Sequence, residues 1–266
     1  MYSKPQLALK YISYWLKASN GKGHGVHSPF VFEFITKVLN DNRSFYAYDQ
    51  IEAVRLQLLN DDKTLTIEDF GAGSRVIKNN QRKVSFIAGS SLKPKKFSQL
   101  LFRMVNTYQP KTILEIGTSL GITTSYLASA KSNAQVTTME GAKEVAATAK
   151  ANFSKLGLQN IHVVEGNFDN TLQPTVNSIS EDIDFAFLDG NHRYEPTVQY
   201  FETLLPKLNE YSIVILDDVH WSEEMEKAWQ YVKDHEKVTL TIDLFFIGIA
   251  FFRKENKVKQ HFDIRF

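Results

Sequence analysis

The 266-residue chain contains no cysteine. That excludes disulfides, thiolate metal centres and a cysteine nucleophile, leaving packing, hydrogen bonds and oxygen or imidazole ligands to supply stability and chemistry. Charge of one sign is not in excess either, because 31 Lys and Arg balance 30 Asp and Glu for a net charge of +1. A chain this neutral lacks the basic face that a non-specific nucleic-acid footprint requires, so a nucleic-acid partner is not expected. The one local run of cations, Lys93, Lys95 and Lys96, reads as the solvated start of a helix. Long apolar runs are also missing. The longest, 244–252, has the length of a strand and falls far short of the roughly 20 residues that cross a bilayer. Near the start, Leu7, Leu9, Ile12, Trp15 and Leu16 are interrupted by Lys10 and Lys17, unlike the apolar stretch of a signal peptide. A cytoplasmic protein with no membrane partner is expected.

An apolar content of 43% suffices for a full core, and the length fits one large α/β domain or one domain with an N-terminal extension. The first third reads as helical and irregular. Apolar spacing predicts a helix over 7–16, and Ser28-Pro29 reads as an N-cap and first-turn proline ahead of an apolar helix. Ile51, Val54 and Leu58 mark another helix, as do Phe97, Leu100, Leu101, Met104 and Val105. The stretch 71–89 has no clear period. Asp69-Phe70-Gly71 and Gly71-Ala72-Gly73-Ser74 imitate a kinase motif and a cofactor loop, but no kinase catalytic loop and no convincing packed helix accompany them. The segment 74–80 is taken as a lid loop or turn.

From Lys111 the pattern becomes regular. Strands are predicted over 112–116, 135–139, 161–164, 183–188, 212–216, 238–243 and 246–252, with helices over 122–130, 143–156, 197–205 and 223–233. Strands alternating with helices form parallel βαβ units, with helices on both faces of the sheet. The last two strands have only a short link, which permits an antiparallel pair alone. The expected fold is thus a Rossmann-like, seven-stranded, mostly parallel sheet with one antiparallel strand, plus an N-terminal, mainly helical extension.

Ligands of such sheets bind beyond the C-terminal strand ends. The first strand ends in Glu115-Ile-Gly117-Thr-Ser119-Leu-Gly121. Counted from Gly117, the second and third glycines of a G-x-G-x-x-G dinucleotide fingerprint would fall on Ser119 and Ile122, so that fingerprint fails. A phosphate-binding P-loop fails as well, since no Gly-Lys-Ser/Thr follows. Glu140-Gly141 closes the second strand, about 20 residues beyond the glycine turn, where a carboxylate suits ribose hydroxyls. The third strand leads to Asn167-Phe168, the fourth to Asp189-Gly-Asn-His192, and the fifth to Asp217-Asp218.

These strand ends, taken in order, resemble class I S-adenosylmethionine-dependent methyltransferases, whose glycine loop has the form E-x-G-x-x-x-G. The resemblance covers about 97–252 and is closest to the catechol O-methyltransferase-like and macrocin-type groups. It implies S-adenosylmethionine as cofactor, held by Glu115, Gly117, Ser119, Gly121, Glu140, Gly141, Asn167, Phe168 and Asp189, and a small-molecule hydroxyl as methyl acceptor. In metal-dependent members an Asp after the fourth strand and an Asp-Asn pair after the fifth hold a divalent cation such as Mg²⁺. Asp189 and Asp217 match those positions, while Asp218 stands where Asn is usual. A lysine base three positions after the first Asp is replaced here by His192. The resemblance therefore leaves two catalytic schemes open: a cation on Asp189, Asp217 and Asp218, or metal-free catalysis with His192 as base and Asp189 orienting it.

His220 is a weaker candidate base, and Trp221 a candidate wall of the acceptor pocket. His24 and His27 have ligand-like spacing without a third partner. By family habit, 1–95 is expected to be a lid or dimerisation region and 96–266 the cofactor-binding domain. The competing readings are an amine methyltransferase acting on a macromolecule, a cofactor-binding module without catalysis and, least favoured, a dehydrogenase. Asp189-Gly-Asn-His192 replaces the Asn/Asp-Pro-Pro-Tyr/Phe motif typical of DNA amino-methylating enzymes.

Overall fold

A computed structural model describes residues 1–67 and 80–266. Both decoy motifs, and all but the last residue of the presumed lid loop, fall outside the described residues. In chain order the elements begin with α1 (Lys4–Lys17), α2 (Pro29–Phe34, continued by a π-helical turn, Ile35–Leu39) and α3 (Tyr46–Leu59). Next come β1 (Thr64–Thr66), β2 (Gln81–Lys83), α4 (Val84–Ser91) and α5 (Lys95–Tyr108). The alternating part comprises β3 (Thr112–Ile116), α6 (Ile122–Ala130), β4 (Gln135–Glu140), α7 (Lys143–Lys155), β5 (Ile161–Glu165), α8 (Phe168–Ser178), β6 (Phe185–Leu188) and α9 (Tyr194–Leu204). It closes with β7 (Ile213–Asp217), α10 (Glu223–Asp234), β8 (Leu240–Asp243), β9 (Ile247–Phe251) and β10 (Gln260–Asp263). Among the described residues, no helix is long and apolar enough to cross a membrane.

These elements form two compact units that do not follow chain order: Asn42–Ser180, and Met1–Asp41 with Glu181–Phe266. In the first, β3, β4 and β5 lie side by side and parallel. Every residue of β3 is buried, Thr112 and Glu115 included, as befits a strand in a sheet covered on both faces. Residues of α3 (Ile51, Val54, Leu58) and α4 (Val84, Ile87) share one apolar cluster with Phe102 of α5, Tyr126 of α6 and Val145 of α7. The stretch 42–95, which the sequence groups with the N-terminal region, thus helps to build this unit's core. Lys93 is likewise buried, at 8% exposure, and its carbonyl accepts from Arg55 at 2.9 Å. Lys95 and Lys96 are exposed, so the expected solvated helix start holds for these two only.

In the second unit the strand order is β10-β8-β9-β7-β6. β6 and β7 run parallel, β9 runs antiparallel to both β7 and β8, and β10 runs parallel to β8. The three residues between β8 and β9 can only reverse the chain, and Phe245 takes a positive φ of 70° to do so. The sequence accounts for four of these five strands. The fifth, β10, returns after a polar stretch and extends the edge beyond β8.

Two helix starts follow the expected capping chemistry. The Ser3 side chain caps α1 in a reciprocal box with Gln6, and Ser28 caps α2 ahead of Pro29. The start of α6 has a different basis. Gly121 adopts φ +82°, and a Cβ there would lie 2.6 Å from the Phe153 ring and 3.1 Å from the Ala149 Cβ. Glycine at 121 is thus required by close packing of the turn against α7.

Substituting this residue separates the two costs. Gly121→Ala is expected to destabilise by about 2–4 kcal/mol, combining roughly 1–2 kcal/mol for a side chain in the left-handed region with overpacking against Phe153. Gly157→Ala serves as control, because Gly157 has φ +69° but open space around it, and should show only the backbone part. Urea unfolding of both variants checks this; equal losses would mean that the Phe153 ring yields without cost.

Candidate active site

Two clusters of site residues form, one in each unit. In Asn42–Ser180 the first is built from the ends of β3, β4 and β5. After β3 the chain turns through Gly117 (φ +105°), Ser119 (φ +48°) and Gly121. The N–H groups of Gly117 and Thr118 both donate to the Met139 carbonyl at 3.0 Å, which fastens the turn to the end of β4. Glu115 is fully enclosed. Its Oε2 accepts the Thr138 hydroxyl at 2.7 Å and also the Thr124 hydroxyl. A threonine hydroxyl has one proton. Since Thr138 gives its own to Glu115, the 2.6 Å contact between Thr118 and Thr138 has Thr118 as donor. Glu115, expected in the cofactor set, therefore positions the glycine turn from behind.

Glu140 occupies the expected place at the end of β4. Its carboxyl oxygens accept from Ser119 N–H at 2.8 Å and Ala142 N–H at 3.0 Å, and the Gly141 N–H also bonds to the group. Burial raises its pKa above the ordinary carboxylate value, and these backbone donors pull it partly back. Each carboxylate oxygen has two acceptor sites, so the group can serve these three backbone donors and keep one site for a hydroxyl. The Glu140 carbonyl accepts from Gly166 N–H at 2.9 Å, joining the third strand end to the second. Asn167 then caps α8, its side chain accepting from Asp169 N–H at 3.0 Å, and Phe168 opens that helix half-buried.

The second cluster lies in the other unit, beyond β6 and β7. Asp189, His192 and Asp217 each place a ligand atom within 4.8 Å of the others. His192 Nε2 is 3.4 Å from Asp189 Oδ1. Asp217 is the last residue of β7 and is buried, while Asp189 and His192 are partly exposed. Among the described residues this is the one such triplet, and Asp218 is not in it. The strand ends at Asp217, and Asp218 turns into the left-handed region (φ +53°) with its N–H on the Phe246 carbonyl at 2.7 Å. The residue grouped with Asp189 and Asp217 is His192, whereas the sequence reading groups Asp218 with them.

His220 stands apart from the triplet, between Asp243 (2.8 Å) and Glu226 (3.1 Å). Burial alone would lower its pKa, but the two carboxylates outweigh burial and raise it. The Trp221 carbonyl accepts from Tyr2 N–H at 3.0 Å. His24 and His27 are exposed and belong to no ligand triplet among the described residues.

Residues 114–219 match a family model described as a methyltransferase domain. The chain is also similar to solved structures. An O-methyltransferase from Bacillus cereus in complex with S-adenosylhomocysteine shares 19% identity over 84% of this chain and 97% of its own, with a TM-score of 0.56. An S-adenosylhomocysteine-bound methyltransferase from Podospora anserina gives 15%, 85%, 97% and 0.59. An O-methyltransferase from Streptomyces achromogenes involved in tomaymycin synthesis, in complex with S-adenosylmethionine, gives 15%, 79%, 91% and 0.57. At these identities the likeness establishes the Rossmann-like fold. An uncharacterised protein of Acanthamoeba polyphaga mimivirus is 24% identical over 139 residues, 48% of this chain. The chain spans 63% of that relative's length.

Glu140 has a measurable signature. Its folded pKa lies above the unfolded value near 4.5, so its contribution to stability is fully present below that value and is lost as the pH rises through the folded one. Glu140→Gln cannot ionise. Relative to the parent protein, it is expected to gain stability as the pH rises from about 4 to about 7. Urea titrations across that range test this, and a constant difference would show that ionising Glu140 in the fold carries no cost.

Proposed function

With residues 114–219 matching a methyltransferase-domain model, we propose that the protein transfers the methyl group of S-adenosylmethionine to a hydroxyl oxygen of a small molecule. The observation that carries this reading is the Asp189–His192–Asp217 triplet, a set of oxygen and imidazole groups suited to binding and deprotonating a hydroxyl. Support for the cofactor comes from the other cluster. A carboxyl at the end of β4 is oriented by Ser119, Ala142 and Gly141 and retains an acceptor site for a ribose hydroxyl. Glu140 would hold the ribose, with the Gly117–Gly121 turn and the Asn167-Phe168 corner around the rest of the molecule. When bound, S-adenosylmethionine supplies a methyl group on a positively charged sulfur, so what remains for the protein is alignment and removal of the acceptor proton.

The triplet serves that removal. A phenolic hydroxyl has a pKa near 10 and is a poor nucleophile until deprotonated. Two carboxylates and one imidazole within 4.8 Å fit a divalent cation of the Mg²⁺ or Mn²⁺ type, since hard carboxylates and a neutral imidazole can share one ion. Such an ion would lower the hydroxyl pKa. A second reading is favoured by the 3.4 Å approach of His192 to Asp189: Asp189 orients the imidazole through Nε2, and Nδ1 takes the proton. Methylation of a macromolecular amine has less support, because Asp189-Gly-Asn-His192 offers acid–base groups where the amine enzymes carry an aromatic motif. A non-catalytic module would have no use for the triplet.

Isothermal titration should show S-adenosylmethionine and its demethylated product binding and NAD failing to bind; the reverse result removes the proposal. Glu140→Ala is expected to weaken cofactor binding by about 1–3 kcal/mol. Hydroxylated acceptors screened with methyl-labelled cofactor should become labelled, and chelation should stop turnover until Mg²⁺ or Mn²⁺ is restored. Asp217→Asn should lose turnover and keep cofactor affinity. Turnover that ignores chelator but collapses in His192→Ala would assign the proton to His192 alone.

A further inference from the structure

Helix α1 is amphipathic in the reverse of the usual sense. The side of α1 turned to its own unit carries Lys10, Tyr11 and Tyr14. Lys10 binds Glu226 at 2.9 Å, and Tyr11 and Tyr14 rest on Phe245 with ring centroids 5.0 and 5.3 Å apart. The outward side holds Leu9, Ile12, Trp15 and Leu16, which are 68, 55, 42 and 74% exposed. At roughly 100° per residue these four, with Pro5 and Ala8, fill an arc of about 120° that no polar residue interrupts. The first and last turns of the helix supply exposed Lys4 and Lys17, and α1 contains no acidic residue. Arg265 lies over the Trp15 ring, 5.3 Å from its centroid.

The exposed area of these side chains is on the order of 400–500 Å², the size of patch that on a monomer is often functional. It is well short of the about 800 Å² per partner that a stable dimer needs. A second copy meeting this face would also set lysines against lysines. An apolar arc flanked by lysines, with a tryptophan at its margin and no acid, instead matches the requirements of a bilayer interface. There apolar side chains enter the acyl boundary, tryptophan sits at headgroup level and lysines reach anionic headgroups. We infer that the outer face of α1 docks the protein on the surface of an anionic lipid bilayer. The docking is peripheral and is independent of the methyltransferase reading. It departs from the expectation of no membrane partner.

Co-sedimentation of the full chain with vesicles tests this. Binding is expected to vesicles of phosphatidylcholine mixed with phosphatidylserine and to be at least tenfold weaker to phosphatidylcholine alone, because each lysine near an anionic surface contributes about fivefold. Raising the salt should weaken it. Leu9→Gln/Ile12→Gln/Leu16→Gln should abolish binding with an unchanged circular-dichroism melting curve, as these side chains are exposed. Lys4→Glu/Lys17→Glu, which leaves the apolar arc intact, should reduce binding by more than tenfold. The inference is overturned if the parent protein stays in the supernatant at low salt, or if the triple variant sediments equally well. It is also overturned if light scattering shows a dimer that the triple variant dissolves while neither protein binds vesicles.

Discussion

A carboxyl group with no exposed surface governs the unit Asn42–Ser180. Glu115 lies in the sheet two residues before Gly117, which opens the turn. Burying such a group without partners would cost several kcal/mol or more. It is accommodated because hydroxyls from three separate places converge on it: Thr124 on α6, Thr138 on β4 and, through Thr138, Thr118 in the turn itself. The turn, the helix after it and the neighbouring strand are thereby held to a single point. With that geometry set, Ser119 N–H can meet Glu140 and the Gly117 and Thr118 N–H groups can meet Met139. The outer half of the cluster rests on this buried inner half.

The other unit has a comparable centre in Asp243, the last residue of β8. Its Oδ2 accepts the Trp229 indole N–H at 2.8 Å and lies 2.8 Å from His220 Nε2, while its Oδ1 accepts Phe245 N–H at 2.8 Å. Its carbonyl shares the Tyr14 hydroxyl with the Ile264 carbonyl. His220 passes the connection to Glu226, which also receives Tyr2 and Lys10. One strand end thus binds together α1, α10 and the turn that follows Asp217. The polar inner face of α1 is consumed by this network, which explains why the helix turns Lys10 and Tyr14 inward and Leu9 and Leu16 outward.

Much of the architecture was legible in the sequence because it follows from local periodicity. The strands over 112–116 and 135–140 and the helices over 122–130 and 223–234 appear within a residue or so of their expected limits. Each has an apolar run or a 3.6-residue repeat bounded by glycine, proline or a capping residue. The features that escaped lacked such a signal. Helix α8 carries Pro174 in its interior, which argues locally against a helix and is outweighed by the Asn167 cap and the burial of Leu172 and Val176. Strand β10 has a mixed burial pattern and exists because β8 offers a parallel edge. Helix α4 lies in a stretch without period and is held by its contribution to a core built from distant residues.

The same division runs through the candidate site. Sequence by itself determined which residues end the strands, and hence that Gly117, Glu140, Asp189 and Asp217 stand where ligands of such sheets bind, because strand ends follow from patterning and turn chemistry. Which of them act together is a matter of direction in space, and tertiary structure alone decided it. Past the end of β7 the backbone turns left-handed at Asp218, and the residue grouped with Asp189 and Asp217 is His192. Close contact with Phe153, invisible in the chain order, makes Gly121 a packing glycine. Complete enclosure by Thr124 and Thr138 makes Glu115 a positioning residue, since burial depends on what the rest of the chain brings around a residue and not on its neighbours in sequence.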